Sequence, residues 1–183
     1  FELLLTNEQI KHILTVLRKY QIPMVLEGPN YIYVDEKDFK DDPYVIYLRN
    51  ELGENLKSIT GIAQYEVNKL SAELGNADVE LVRKELGTEF DMIVHEPDGI
   101  LEIGQTGHSK ASGIERLCAF LGIAKEDTYA FGDSANDVEM LEFVAHGIAM
   151  GNGTDVAKNA AEFITTDIHK DGIWNGLKHY GLI

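Results

Sequence analysis

From Thr128 to the end of the chain, apolar runs of three or four residues alternate with stretches of helical periodicity, and this alternation leaves few folds open. Thr128-Tyr129-Ala130-Phe131 reads as a short buried strand running into Gly132. A helix through Val138 and Leu141 follows, with Gly147 past its end. Ile148-Ala149-Met150 is a second strand, residues 155–161 a further helix, and Phe163-Ile164-Thr165 a third strand. Strands joined through helices rather than tight turns lie parallel, with the helices packed on the sheet. One more helix precedes them. Ser109 can cap it, Ile114, Leu117, Cys118 and Leu121 share one face, and Gly122 ends it.

The first half of the chain reads differently. Thr6-Asn7-Glu8-Gln9 has the form of a capping box, and Ile10, Ile13, Leu14 and Leu17 follow at helical spacing before Pro23. Met24-Val25-Leu26 and Tyr31-Ile32-Tyr33-Val34 flank Gly28-Pro29-Asn30 as a hairpin. Met92-Ile93-Val94 and Ile100-Leu101-Glu102-Ile103 flank Pro97-Asp98-Gly99 as another. Residues 37–42 read as a charged loop, 43–52 as a helix, 62–67 as a strand and 78–86 as a short helix. The spacing therefore predicts an α+β domain over residues 1–104 and part of an α/β domain over 105–183, with the seam between Gly104 and Gly107.

Composition excludes some partners. The formal net charge of −15 repels nucleic-acid phosphates and anionic lipid surfaces. The single cysteine, Cys118, rules out an internal disulfide framework and fits a reducing, cytoplasmic setting. No apolar run approaches the roughly 20 residues that a membrane helix needs.

Chemistry concentrates in Gly132-Asp133-Ser134-Ala135-Asn136-Asp137. The stretch follows an apolar strand at its carboxyl end, the edge where open α/β sheets bind ligands. Two carboxylates crowded into one turn repel each other unless a cation sits beside them. Mg²⁺ suits such a place, because it takes one or two carboxylates and fills its shell with water and phosphate oxygens. Asp and Asn also favour turns and caps for local reasons, so the tetrad alone does not decide between the two readings. Lys110 adds weight. It stands just inside a helix start, where a cation opposes the helix dipole, and an ammonium beside free N–H groups makes an anion pocket.

Lys110, then roughly 20 residues, then Gly-Asp-x-x-Asn-Asp, resembles the third and fourth motifs of the haloacid dehalogenase superfamily. Asp137-Val138-Glu139-Met140-Leu141, then Gly147-Ile148-Ala149-Met150-Gly151-Asn152-Gly153, then Asp171-Gly172-Ile173, resemble its Cof-like sugar-phosphatase branch. The resemblance implies a Rossmann-type parallel core, here a remnant, plus an inserted α+β cap. It implies a Mg²⁺-dependent phosphatase acting on a small phosphorylated metabolite such as a sugar phosphate. Asp133 is then a Mg²⁺ ligand, Asn136 a ligand of a phosphate oxygen, and Asp137 a support for the metal or for Lys110. Lys110 neutralises the transferring phosphoryl group. Asn152 stands near the same edge, where a turn role is the simpler expectation. Tyr31, Tyr33, Tyr44, Tyr47 and His95 are expected in the core more than in a pocket.

The family's first motif, Asp-x-Asp followed by Gly, supplies its nucleophile and its acid/base. It has no match here: Asp35-Glu36-Lys37-Asp38 has the wrong spacing, and Asp98-Gly99 is a hairpin turn. The resemblance thus implies a carboxyl-terminal portion that begins inside the cap and is inactive alone. A missing central strand would leave an apolar edge for a second copy to cover, so a homodimer is expected. The alternative is a non-catalytic binding module. A cation-pump phosphorylation domain shares the Gly-Asp-x-x-Asn-Asp turn but continues it differently and comes with membrane spans.

Overall fold

Thr6 starts the first element. Its hydroxyl accepts from the Gln9 backbone N–H, and its own N–H donates back to Gln9 Oε1 at 2.9 Å, the reciprocal pair that opens helix α1 (Asn7–Lys19). Ile10, Ile13, Leu14 and Leu17 are buried along one side of it. The computed structural model describes residues 3–35, 39–59, 65–95 and 99–183, and the chain divides into two compact units, Phe1–Thr106 and Gly107–Ile183.

The first unit holds strands β1 (Met24–Glu27), β2 (Ile32–Val34), β3 (Leu56–Ser58), β4 (Lys69–Glu73), β5 (Phe90–His95) and β6 (Ile100–Gln105). They form one sheet in the order β3-β2-β1-β4-β6-β5. All pairs are antiparallel except β2 with β3. Helix α2 (Pro43–Leu52) lies between those two in sequence, and such a crossover is what lets neighbouring strands run parallel. Leu26, Leu70, Leu101 and Ile103 belong to the main core with Ile13 and Leu17 of α1 and Val82 of helix α3 (Val79–Leu86). Val25 and Val34 belong to a smaller cluster with Val45 and Leu48 of α2.

Two details differ from the reading of the sequence. Of the strand expected at 62–67, residues 62–64 lie outside the described residues and Tyr65, Glu66 and Val67 are not in a strand. The strand is β4, further along. There buried Leu70 and Ala72 alternate with Lys69, Ser71 and Glu73, a pattern of period two that is overshadowed by the more apolar run before it. Val67 is buried, but its carbonyl accepts from Leu5 N rather than from a neighbouring strand. Of the charged loop, Lys37 and Asp38 lie outside the described residues, and Asp42 caps α2 through Tyr44 N. Residues 96–98, with Pro97 and Asp98 of the second turn, also lie outside them.

The second unit runs α4 (Lys110–Leu121), β7 (Tyr129–Gly132), α5 (Val138–Phe143), β8 (His146–Ala149), α6 (Asp155–Ala160), β9 (Phe163–Ile164) and α7 (Gly172–His179). The three strands are parallel in the order β7-β8-β9, so β7 and β9 form the edges. Two glycines let helices approach this sheet. A Cβ on Gly147 would lie 2.3 Å from the Leu141 carbonyl oxygen of α5, and one on Gly176 of α7 would lie 2.5 Å from the Phe131 ring. Helix α4 packs beside α5 without burying a residue. Its apolar side is open, with Leu117, Leu121 and above all Phe120, 85% exposed, facing water. Among the described residues no helix is long and apolar enough to cross a membrane.

Candidate functional site

The site grows from the end of β7. Gly132 closes the strand, and a Cβ there would stand 2.6 Å from Asp137 Cβ, so glycine is what allows the Asp137 side chain to fold back over the strand end. Ala135–Asp137 form a single 3₁₀ turn leading into α5. Within it Asp137 Oδ2 accepts from the backbone N–H groups of Asp133 at 2.9 Å and Ser134 at 3.1 Å. The turn is thus wrapped around its own last carboxylate, and Asp137 is only 3% exposed.

Lys110 arrives from α4. Ser109 caps that helix through Ser112 N, which puts Lys110 in its first turn. Its Nζ donates to Asp137 Oδ1 at 2.5 Å and to Asn136 Oδ1 at 3.2 Å. The ammonium is half exposed while the carboxylate it meets is buried, so the cation has a fixed base and an open front. Burial alone would raise the Asp137 pKa. The Lys110 hydrogen bond and the two backbone N–H groups outweigh it, and the group titrates below its ordinary value of 3.8.

The sign of this shift gives an expected result. A carboxylate whose folded pKa lies below its unfolded one stabilises the fold above the unfolded value, and that stability is lost as pH falls through the folded one. Urea denaturation of the wild type and of Asp137→Asn should differ most near neutral pH, and the gap should close below pH 3.8. A gap that stays constant down to pH 2 would show that the charge of Asp137 is not what holds the turn.

Asp133 is placed differently. Its backbone is held tightly: its carbonyl accepts from Thr154 N at 2.8 Å and Thr154 Oγ1 at 3.3 Å, and a Cβ on Gly153 would meet its Cα at 3.0 Å. Its side chain is exposed. Asn152 serves the neighbouring turn, accepting from Ile168 N at 2.9 Å. Lys110, Asn136 and Asp137 therefore meet directly, and Asp133 joins them through the backbone of the same turn. Ser134 and Thr154 were not singled out by sequence, although a hydroxyl between Gly-Asp and Asn-Asp was visible there.

Among the described residues no group of three or more His, Cys, Asp or Glu side chains is placed to hold a metal ion. The donors fit a weakly held, shared ion better than a caged one. Asp137 has both oxygens engaged within the protein, and Asp133 offers one exposed carboxylate, which suits Mg²⁺ that keeps its waters and takes oxygens from a ligand.

In the first unit, His95 Nε2 lies 2.8 Å from Glu102 Oε2, and Lys69 bridges Glu102 and Glu27, which also accepts from Ser71. This network satisfies itself. Tyr33 packs edge-on against Tyr65, while Tyr31, Tyr44 and Tyr47 are exposed rather than in the core.

With this geometry in view, the chain's relatives fall into place. Residues 1–177 match the profile of the haloacid dehalogenase-like hydrolases, and the chain belongs to that family. It is 36% identical over 138 residues to the 5-amino-6-(5-phospho-D-ribitylamino)uracil phosphatase YitU of Bacillus subtilis. That match takes in 73% of this chain but only 47% of the relative, so the chain spans about half of that phosphatase's length. Among solved structures, a hypothetical protein from Geobacillus kaustophilus aligns with a TM-score of 0.76 at 30% identity, over all of this chain and 70% of the other. A sugar phosphatase of subclass IIB of the superfamily aligns with a TM-score of 0.79 at 23% identity, over 98% of this chain and 68% of the other, and supports the fold.

Proposed function

We propose that this chain works in a Mg²⁺-dependent phosphomonoester hydrolase that acts on a small phosphorylated metabolite such as a sugar phosphate, and that it supplies the phosphate-anchoring side of the site. The observation that carries the proposal is the Lys110 ammonium, seated on buried Asp137 and on Asn136 at the carboxyl end of a parallel strand. The likeness to a phosphatase of a ribitylamino-uracil phosphate supports the reaction class.

Phosphoryl transfer asks a protein mainly for positioning and for charge neutralisation. Lys110 neutralises the non-bridging phosphate oxygens. Asp137 holds the ammonium in place and cannot drift toward the substrate, because Lys110 and the backbone N–H groups of Asp133 and Ser134 grip it. Asn136 contributes an amide to the same anion. Asp133 would hold Mg²⁺, which when bound supplies further positive charge to the phosphate. None of the four residues is placed as the nucleophile, in keeping with the lack of an Asp-x-Asp-Gly stretch in these 183 residues.

The test is direct. The 183-residue chain should bind inorganic phosphate more tightly with Mg²⁺ than without, and Asp133→Ala should abolish the Mg²⁺ effect while leaving the far-ultraviolet circular dichroism unchanged. With sugar phosphates the chain alone should release no phosphate above background. Mg²⁺-independent phosphate binding would sink the assignment of Asp133. Turnover lost in Asp133→Ala would show that an aspartate of this chain performs the attack.

A further inference from the structure

Fastening the neighbouring turn uses only half of the Asn152 side chain. Ile168 opens the single 3₁₀ turn Ile168–Lys170, and its backbone N–H donates to Asn152 Oδ1 at 2.9 Å. A backbone N–H can only donate, so the end of the amide that faces it is the oxygen. The other end, Nδ2 with its two hydrogens, is turned away from Ile168. Among the described residues nothing accepts from it. Asn175 is a contrast: its Nδ2 is spent on Thr166 Oγ1 at 2.8 Å and on the Lys170 carbonyl at 3.0 Å.

The residues on either side fix where that end stands. Asn152 lies just past the carboxyl end of β8. A Cβ on Gly153 would stand 3.0 Å from Asp133 Cα, and one on Gly151 would stand 2.6 Å from Asp167 N. The loops that follow β7 and β9 thus close in on Asn152 from both sides, and Asp133 is one of its neighbours. Holding Ile168 N does not call for an amide. A carboxylate would do it at least as well, since an ionised acceptor makes the stronger bond. It would also turn a second acceptor outward beside Asp133. The amide keeps the acceptor inward and turns a donor outward.

We propose that Asn152 is a substrate-binding residue whose Nδ2 donates to a phosphate oxygen at this sheet edge; this rests on the reading of the edge as a phosphate site. Ile168 holds the amide in the one orientation that offers a donor to an anion. The two halves of the side chain separate experimentally. Asn152→Asp keeps an acceptor for Ile168 N and removes the outward donor, whereas Asn152→Ala removes both.

The experiment titrates the 183-residue chain with inorganic phosphate in the presence of Mg²⁺ and reads the side-chain ¹⁵NH₂ signals together with the Kd. In the wild type the Asn152 pair should shift as phosphate is added, while the Asn175 pair, its donors already engaged, should not. Asn152→Ala should raise the Kd about 10-fold, the worth of one hydrogen bond to a charged group. Asn152→Asp should raise it at least as far, with a melting temperature closer to the wild type's because the turn keeps its acceptor. An Asn152 pair that stays still while phosphate binds overturns the proposal, and so does an Asn152→Asp chain that binds phosphate as the wild type does. A loss in Asn152→Asp that disappears at 1 M salt, where the Debye length is about 3 Å, would come from charge at a distance and overturns it as well. If the wild type binds no phosphate, the functional reading falls and this assignment falls with it.

Discussion

On the function proposed above, replacing Lys110 by alanine in the full-length protein should lower kcat about 100- to 1000-fold, the usual effect of removing one preorganised charge that meets the developing transition state. The fold should survive. Lys110 is half exposed and opens a helix, where alanine is well tolerated. Asp137 would lose its cation but keep both backbone N–H donors, from Asp133 and Ser134. Its pKa should rise toward the value that burial alone favours. Lys110→Arg should recover little, because the larger planar guanidinium does not fit where a compact ammonium stands 2.5 Å from Asp137 Oδ1 and 3.2 Å from Asn136 Oδ1. Activity assays with Mg²⁺, and phosphate titrations of the same variants, would check this. A Lys110→Ala enzyme within tenfold of the wild type would mean that the phosphate is neutralised elsewhere.

The largest expected effect on stability lies at Gly147. Valine there should cost about 3 kcal/mol or more, above the ordinary range for overpacking, because its Cβ would stand 2.3 Å from the Leu141 carbonyl oxygen and 3.0 Å from the carbonyl carbon. Flexible side chains can give way, but backbone atoms of a packed helix cannot. The loss should fall on the second unit, since Gly147 lies in β8, the middle strand of its sheet. Gly104→Ala is the matched control. Nothing lies within 4 Å of a Cβ at that position, so alanine there should be neutral or stabilise by a few tenths of a kcal/mol through the unfolded chain. Urea unfolding followed by hydrogen exchange in each unit would separate the two outcomes. A Gly147→Val protein as stable as the wild type would show that α5 can move away from the sheet.

Much of this was legible in the sequence, and the reasons differ by element. The parallel strands of the second unit were visible because each is a compact apolar run set between helices. The cap of α4 was visible because Ser109 stands directly before the periodic stretch and Gly122 directly after it, and the latter adopts the left-handed conformation expected of it. Gly132 to Asp137 could be singled out since a short turn carries all its chemistry locally. That Lys110 would meet Asp137 came from the family resemblance, because no local rule joins residues on two different elements.

The rest was hidden for equally physical reasons. Three residues such as Leu56–Ser58 have no measurable periodicity, and β3 exists because β2 offers it a parallel edge. β4 carries Lys69, Ser71 and Glu73 on one side, so its strand character shows only once Leu70 and Ala72 are seen to be buried. The open apolar side of α4 looked like an ordinary buried stripe, since periodicity shows that a helix is amphipathic and not what covers it.

The order of pairing along the chain also bears on how the protein reaches this structure. In the second unit Tyr129 pairs with His146 and Ile148 with Phe163, each strand finding the next one along. In the first unit Met24 pairs with Ala72, and β2, α2 and β3 lie between them in sequence. Closing long loops before their contacts form is what slows folding, so the shorter closures of the second unit should form ahead of the Met24–Ala72 pairing, which stopped-flow refolding of the two units would check. The turn around Asp137 is closed by bonds that span only three or four residues, so its formation calls for no such long closure.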